Sequence, residues 1–275
     1  MKADNVYEDS NYRNIHVSSP CPLFSFIIPT FNSGGTLQNT LGSLSLQRCR
    51  NFEVIIVDGA STDNTLNLVE RFSQSEKDIG IIVISEIDNG IYDAMNKGIK
   101  LSSGKYIYFL GSDDRLYDET TLEKVSLFID EHPGADIVYG DIVFTGDKTG
   151  NASKREGAIR NRIAYLKILD KIGVFLRLNI SHQAMFARRE ILTDGFSLRY
   201  RLAADYDWYL KQKEEGRRFK HTGENIACFN VSGASSDLKP LVSEISVISA
   251  RHFGKLFYRR KPPGKRMHDH SPAVV

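Results

Sequence analysis

Short apolar runs alternate with amphipathic segments over the first half of the chain. Runs rich in β-branched and aromatic residues predict buried strands at 23–29, 52–57, 79–84, 106–110 and 137–139. The segments between these runs carry apolar residues at helical spacing, as Leu37, Leu41 and Leu44 do. This alternation predicts an α/β fold in which a mostly parallel sheet is flanked by helices.

The second half of the chain has a less regular pattern. Residues 140–157 are turn-rich and favour a hairpin, and strand-like stretches recur at 184–187 and 219–229. Helices are predicted at 164–169, 202–215 and 238–257. The predicted organisation has three parts: a polar, loosely ordered N-terminal lead-in over 1–22, one domain over 23–235, and a C-terminal helix with a basic tail over 236–275.

Composition narrows the classes of function. The formal net charge of +2 excludes a globally basic nucleic-acid-binding protein, so no nucleic-acid partner is expected. The three cysteines lie far apart and form no CxxC pair, which disfavours a disulfide framework or a thiolate zinc site. No signal-peptide pattern and no run of roughly 18 apolar residues occurs. We therefore expect a cytoplasmic protein.

Polar side chains follow four consecutive predicted strands at the point where each strand ends. The candidate site residues at these strand ends are Pro29, Thr30 and Asn32 at the first strand, Asp58 at the second, Asp88 and Gly90 at the third, and Ser112, Asp113 and Asp114 at the fourth. Open parallel sheets bind their ligands beyond the carboxyl ends of the strands, so we expect a binding site at this edge.

The adjacent carboxylates of Asp113 and Asp114 are candidate ligands of Mn2+ or Mg2+. Two neighbouring carboxylates repel each other, so the pair gains little as a structural feature unless a cation or hydrogen-bond donors compensate. Mg2+ commonly binds one or two carboxylates together with substrate phosphates. The alternative is an N-cap for the following helix, but a cap requires only one of the two acids.

Three further residues allow two interpretations each. Asp58 can accept hydrogen bonds from a base or a ribose, or it can be a turn residue beside Gly59. Asp205 can be a general base or an acid that caps its helix. His182 is a weak candidate, because a lone histidine is more often structural than catalytic. No glycine-rich phosphate loop is present, which disfavours a nicotinamide dehydrogenase or a P-loop NTPase.

Five motifs together resemble the family 2 inverting glycosyltransferases with the GT-A fold. In chain order they are FSFIIPTFN, VIIVDGASTDNT, SEIDNGIYDAMNKGI, SGKYIYFLGSDD and AADYDW. Within the family the chain is most similar to bacterial enzymes of capsule, exopolysaccharide and colanic-acid assembly. The resemblance implies a Rossmann-like GT-A sheet with an irregular acceptor-side half. It also implies transfer of one sugar, with inversion, from a nucleotide-diphosphate sugar, preferably a UDP-sugar, to a glycan or lipid-linked acceptor.

The resemblance implies roles for individual residues. The positions that match the nucleotide-sugar pocket are Thr30 and Asp58, at the base and ribose, with Asp88, Gly90 and Asn96 lining the pocket. Asp113 and Asp114 match the DXD region, which contacts the ribose and the metal-bound diphosphate. Asp205 matches the general base.

Two departures from the family pattern leave an alternative open. Gly111 stands where many members carry the first acid of the DXD region, and Ala204 stands where many carry Glu before the base. The alternative is an inactive nucleotide-sugar-binding partner of another glycosyltransferase. A nucleotidyltransferase ranks below both, because its basic glycine-rich loop is missing. The QxxRW motif of processive synthases is missing as well, which indicates transfer of a single sugar.

The C-terminal segment is basic. Between residues 251 and 266 there are seven Lys or Arg residues and no acid. The segment is either a solvated tail or a surface for peripheral contact with the inner face of an anionic membrane.

Overall fold

The computed structural model describes residues 12–16, 21–145, 158–159, 182–230 and 238–259. The described strands are β1 (Tyr12–His16), β2 (Phe24–Thr30), β3 (Phe52–Asp58), β4 (Gly80–Ser85), β5 (Tyr106–Phe109), β6 (Arg115–Leu116), β7 (Ile137–Thr145), β8 (Ala158–Ile159), β9 (Met185–Arg188) and β10 (Phe219–Asn230). The described helices are α1 (Leu37–Ser45), α2 (Thr65–Ser75), α3 (Ile91–Leu101), α4 (Thr121–Glu131), α5 (Ala204–Glu214) and α6 (Leu238–Arg259), with 3-10 turns at His182–Ala184 and Arg189–Ile191.

These strands form one mixed sheet, and the predicted α/β class is confirmed. The order across the sheet is β1-β4-β3-β2-β5-β9-β7-β10-β6, with β8 beside β7. Strands β4, β3, β2 and β5 are parallel to their neighbours within this group. Strand β9 is antiparallel to both β5 and β7, and β10 is parallel to β7. The irregular pattern of the second half therefore corresponds to a sheet of mixed direction.

Two short strands escaped prediction. Within the predicted lead-in, Tyr12–His16 forms a strand that pairs antiparallel with β4 at the edge of the sheet. An edge strand can be held by backbone hydrogen bonds to one neighbour, so it needs no apolar run. The two residues of β6 pair with β10 and are too short to show a period. The helix predicted at 164–169 lies outside the described residues.

The central parallel strands are buried on both faces of the sheet. Phe26 and Ile28 pack into one apolar cluster, whereas Ile27 between them packs into a second cluster on the other face. The three cysteines, Cys21, Cys49 and Cys228, are free thiols. Among the described helices, none combines the length and the apolar character that a membrane span requires.

The close approach of α3 to β2 depends on Gly98. A Cβ at this position would lie 2.4 Å from Cγ2 of Ile27, whose side chain is fully buried. Gly42 in α1 provides a contrast, because a Cβ there would meet nothing within 4 Å. The two glycines therefore differ in packing although both lie inside helices.

We predict opposite effects of alanine at these two positions. Gly98→Ala should lower the free energy of unfolding by about 1–3 kcal/mol, because the added methyl group overpacks the contact with Ile27. Gly42→Ala should raise it by about 0.5–1 kcal/mol, because alanine is the better helix former. Urea denaturation of both variants measures the difference. Stabilisation by both substitutions would contradict the packing argument.

Candidate active site

Strand register brings Thr30, Asp58 and Ser85 side by side at the carboxyl edge of the sheet. Thr30 is opposite Asp58 in the β2–β3 pair, and Asp58 is opposite Ser85 in the β3–β4 pair. Both hydroxyls donate to the Asp58 carboxyl, at 3.0 Å from Thr30 and 2.7 Å from Ser85. Ser61 adds its backbone N–H at 2.9 Å and its hydroxyl at 2.5 Å.

Asp58 therefore holds the loop that follows β3. Its side chain is fully buried, and both carboxyl oxygens accept hydrogen bonds from within the protein. This arrangement accounts for the interpretation of Asp58 as a turn residue. Direct contact of Asp58 with a base or a ribose stays a prediction.

The loops after β2, β3 and β5 are linked to one another. Asn32 has a positive φ of 48°, a conformation that asparagine tolerates better than most residues. Its side-chain oxygen accepts the Thr62 N–H at 2.9 Å, and its own N–H donates to Ser61 Oγ at 2.8 Å. Ser33 and Ser112 share a hydrogen bond of 2.8 Å between their hydroxyls. The predicted residues Asn32 and Ser112 are thus brought into one network.

Asp88 and Gly90 lie beside this network, at the start of α3. The Gly90 N–H donates to Asp88 Oδ1 at 2.8 Å, and Gly90 has a φ of 107°, which favours glycine. A Cβ on Gly59 would lie 2.7 Å from Asp88 Oδ2, so Asp88 approaches the backbone just after Asp58. Pro29 is partly exposed within the same strand as Thr30.

Asn96 connects α3 to the segment that follows β9. Its amide nitrogen donates to the Phe196 carbonyl at 2.9 Å, and its oxygen accepts the Phe196 N–H at 2.7 Å. Gly195 has a φ of 66°, and a Cβ there would lie 2.5 Å from the Asn96 oxygen. The amide is therefore engaged in an anchoring contact, and its predicted place in the nucleotide-sugar pocket remains a prediction.

The carboxylates of Asp113 and Asp114 converge on Gly111. A Cβ on Gly111 would lie 2.5 Å from Asp114 Oδ2 and 3.2 Å from Asp113 Oδ1. A side chain at position 111 would therefore displace the Asp114 carboxylate. The Asp114 carboxylate thus occupies the space beside Gly111, the position at which many family members carry the first acid of the DXD region.

Burial strongly affects both acids. Burial raises the pKa of Asp114 to about 7, although the Asn230 N–H at 2.9 Å and the His182 ring lower it, and the Asp113 carboxylate raises it further. Burial also raises the pKa of Asp113. Ionised carboxylates are thus costly here, and a divalent cation would relieve that cost.

The donor set of the pair fits a hard divalent cation in part. The described residues contain no group of three His, Cys, Asp or Glu side chains that could hold a metal ion. Two carboxylates suit Mg2+, or Mn2+, when substrate phosphates and water complete the coordination shell. The protein side of such a site would be Asp113 and Asp114.

Asp205 lies in the first turn of α5, where two side chains hold its carboxylate. The Tyr92 hydroxyl donates to Oδ1 at 2.6 Å, and His182 Nδ1 lies 2.7 Å from Oδ2. The side chains of His182 and Asp205 are 21% and 18% exposed, so the pair is shielded but reachable. Ala203 precedes the helix and provides no side-chain cap.

The electrostatics of this pair favour a charged carboxylate. Burial works to raise the pKa of Asp205, but the His182 ring and the Tyr92 hydroxyl hold it below its usual value. Burial works to lower the pKa of His182, but Asp205 and, more weakly, Asp114 raise it. His182 therefore interacts with the candidate base and with the acidic pair.

Known proteins identify the family. The sequence profile of glycosyl transferase family 2 matches residues 25–196, which is more than half of the chain. The chain belongs to this family. A PGL/p-HBAD biosynthesis glycosyltransferase of Mycobacterium bovis is 39% identical over 194 residues, which cover 69% of each chain. Glycosyltransferase AglE of Haloferax volcanii is 26% identical over 216 residues, 77% of this chain and 68% of AglE.

Solved structures agree on the fold of this family 2 glycosyltransferase. S. aureus TarS in complex with UDP-GlcNAc superposes with a TM-score of 0.60 at 23% identity, over 75% of this chain and 58% of that chain. Mannosyltransferase PcManGT from Pyrobaculum calidifontis, in complex with GDP-Man and Mn2+, superposes with a TM-score of 0.60 at 20% identity, over 91% of this chain and 69% of that chain. The predicted GT-A fold is confirmed.

The family match reaches His182 but stops before Asp205. The residues that sequence reasoning missed around Asp205 are Tyr92 and, beside Asp114, Asn230. Tyr92 lies within the third motif and could have been noticed as a hydroxyl among apolar helix positions. Asn230 acts through its backbone N–H, which leaves no signal in its residue type.

We predict that Asp114→Asn stabilises this family 2 glycosyltransferase in a pH-dependent way. A folded-state pKa raised to about 7 means that the folded protein holds a proton which the unfolded chain releases above its ordinary pKa of about 4. The cost of Asp114 therefore grows between about pH 4 and pH 7 and levels off above pH 7. Asparagine removes it, with a gain on the order of 1 to 4 kcal/mol at pH 8 that shrinks towards pH 4.

Urea denaturation without added metal at pH 4.5, 6 and 8 measures this gain. The control is Asp130→Asn on the exposed face of α4, for which no such trend is expected. A gain that does not change with pH would show that burial of the Asp114 charge is not the cause.

Proposed function

We propose that this chain transfers a single sugar from a nucleotide-diphosphate sugar to a glycan or lipid-linked acceptor, with inversion at the anomeric carbon. The proposed setting is the biosynthesis of a bacterial surface polysaccharide, at the cytoplasmic face of the membrane. The observation that carries the proposal is His182, which contacts Asp205 at 2.7 Å and interacts electrostatically with Asp114. A candidate base is thereby linked to a candidate diphosphate site.

The donor is a UDP-sugar in this proposal. Support comes from the family membership and from TarS, which was crystallised with UDP-GlcNAc. PcManGT was crystallised with GDP-Man, so a GDP-sugar is the donor to compare with the UDP-sugars. Thr30, Asp58, Asp88 and Gly90 would surround the nucleoside at the carboxyl edge of the sheet.

Asp113 and Asp114 would hold Mn2+ or Mg2+ together with the donor diphosphate. When bound, the cation would supply positive charge that stabilises the leaving diphosphate. The raised pKa values of both acids support this assignment, because a buried carboxylate beside a second, partly buried one is costly without a cation. The Asp114 carboxylate occupies the space that a side chain at position 111 would need. The missing first acid of the DXD region therefore leaves no gap in the site, and this argues against an inactive partner subunit.

Asp205 would act as the general base. Its carboxylate would accept the proton of the acceptor hydroxyl while the hydroxyl oxygen bonds to the anomeric carbon, and the bond from that carbon to the diphosphate oxygen would break. One displacement from the opposite face inverts the configuration. Tyr92 and His182 would hold the carboxylate in line with the acceptor, and such alignment can supply much of the rate.

Turnover of a donor panel tests this proposal. With MnCl2 present, we expect one of UDP-glucose, UDP-galactose, UDP-N-acetylglucosamine and GDP-mannose to release its nucleoside diphosphate, and a chelator to suppress the release. Asp205→Asn should lower kcat by about 10²- to 10⁴-fold because the base is lost. UDP binding, measured by calorimetry, should stay unchanged in that variant.

The control is Asp130→Asn, which removes a carboxylate from the exposed face of α4 and leaves the Tyr92 and His182 contacts in place. Asp205→Asn with near-normal transfer would refute the base assignment. Nucleotide binding without any turnover across donors and acceptors would favour the inactive partner subunit.

We also propose peripheral membrane contact through the basic segment 251–266, of which residues 260–266 lie outside the described residues. Flotation with liposomes rich in anionic lipid tests it. We expect binding that is lost when residues 260–275 are removed, and unchanged flotation after removal would count against the contact.

A further inference from the structure

The residues that lead into helix α5 are held by another helix. Ala203, the residue just before α5, provides no side-chain cap, and the N–H groups of the three residues before the helix have their partner on α6. The backbone N–H groups of Arg201, Leu202 and Ala203 all donate to the Glu244 carboxylate of α6, at 2.9, 2.9 and 3.0 Å. A carboxylate at this end also suits the helix dipole.

Helix α6 holds α5 at further points along its length. Ile245 and Ile248 are buried in the same apolar cluster as Tyr206 and Trp208. His252 is only 5% exposed and lies between Asp207 and Glu214, with a ring nitrogen 2.8 Å from each carboxylate. The position of α5 is therefore set by α6 from the first residues of α5 to the last turn.

The candidate base, Asp205, follows closely after the segment 201–203 that Glu244 holds. Asp205 follows Ala203 by two positions, and its carboxylate is held by Tyr92 and His182 from other parts of the fold. Tyr92 and His182 thus hold the Asp205 side chain, and Glu244 holds the backbone just before it. A shift of the backbone would move Asp205 relative to both partners.

We propose that Glu244 is a positioning residue for sugar transfer, which holds the start of α5 so that the Asp205 carboxylate faces the acceptor hydroxyl. The inference rests on the proposed function, because it requires Asp205 to be the base. Glu244 itself touches no candidate donor residue. The candidate donor residues lie at the ends of β2, β3, β4 and β5, which are other elements of the fold.

Glu244 should therefore affect turnover and leave nucleotide affinity unchanged. A misplacement of about 1 Å in a catalytic group can lower the rate about 10²-fold. We expect Glu244→Ala to lower kcat by about 10- to 100-fold, with the Kd of UDP in MnCl2 within about twofold of wild type. Glu244→Gln keeps one acceptor oxygen and nearly the same shape, so its loss should be smaller.

The test uses the full chain in five forms: wild type, Glu244→Ala, Glu244→Gln, Asp205→Asn and the double variant Glu244→Ala with Asp205→Asn. Glu131→Gln at the exposed end of α4 is the matched control for loss of a carboxylate. Turnover is measured with whichever donor of the panel above reacts fastest. Amide hydrogen exchange of a peptide spanning residues 200–206 reports on the hydrogen bonds to Glu244 without any substrate.

We expect faster exchange in that peptide for both Glu244 variants, and no further loss of kcat when Glu244→Ala is added to Asp205→Asn. A purely structural role predicts an equal loss in both backgrounds, and that result would overturn the inference. Unchanged amide exchange in Glu244→Gln would show that the Glu244 carboxylate does not hold residues 201–203. This variant serves as the test if Glu244→Ala fails to fold.

Failure of the proposed function looks different from failure of this inference. Near-normal turnover by Asp205→Asn, or no turnover of any donor by wild type, refutes the proposed function and the positioning role with it. An inactive Asp205→Asn beside a fully active Glu244→Ala refutes the positioning role alone.

Discussion

The carboxyl group of Asp58 is buried completely at the carboxyl edge of the sheet, so its hydrogen bonds must come from the protein. A buried polar group without partners costs about 1–3 kcal/mol. Thr30, Ser85 and Ser61 supply the donors, from two neighbouring strands and from the loop that follows β3. A slip of one residue in either strand pair would turn a hydroxyl away. This one group therefore ties the register of three strands to the loops that form the site.

The two halves of the sheet meet at β9, and this explains how distant residues converge. Strand β9 pairs with β5, whose end leads to Asp113 and Asp114, and with β7 in the second half. His182 lies three residues before β9 begins, which brings it to the acidic pair and to the start of α5. A short antiparallel strand thus joins the donor side of the fold to the helix that carries Asp205.

Buried charge is the recurring feature of this edge. Burial raises the pKa of both Asp113 and Asp114, whereas the pKa of Asp205 is lowered because His182 and Tyr92 offset its burial. Acids with opposite shifts within one site suit different tasks, namely holding a cation and accepting a proton. Gly111 has no side chain and therefore leaves space for the carboxylate of Asp114, one of the two candidate cation ligands.

The sequence by itself determined the α/β class, the parallel strands from β2 to β5, most helices, the family and the edge at which polar residues gather. It could do so because apolar periodicity and strand-end polarity are local features of the chain. The tertiary structure decided that Tyr92 meets Asp205 across 113 positions, that His182 contacts Asp205, and that Glu244 holds the residues that lead into α5. It also decided that β1 forms an edge strand. These contacts depend on the order of strands and the packing of helices, which no local pattern of residues encodes.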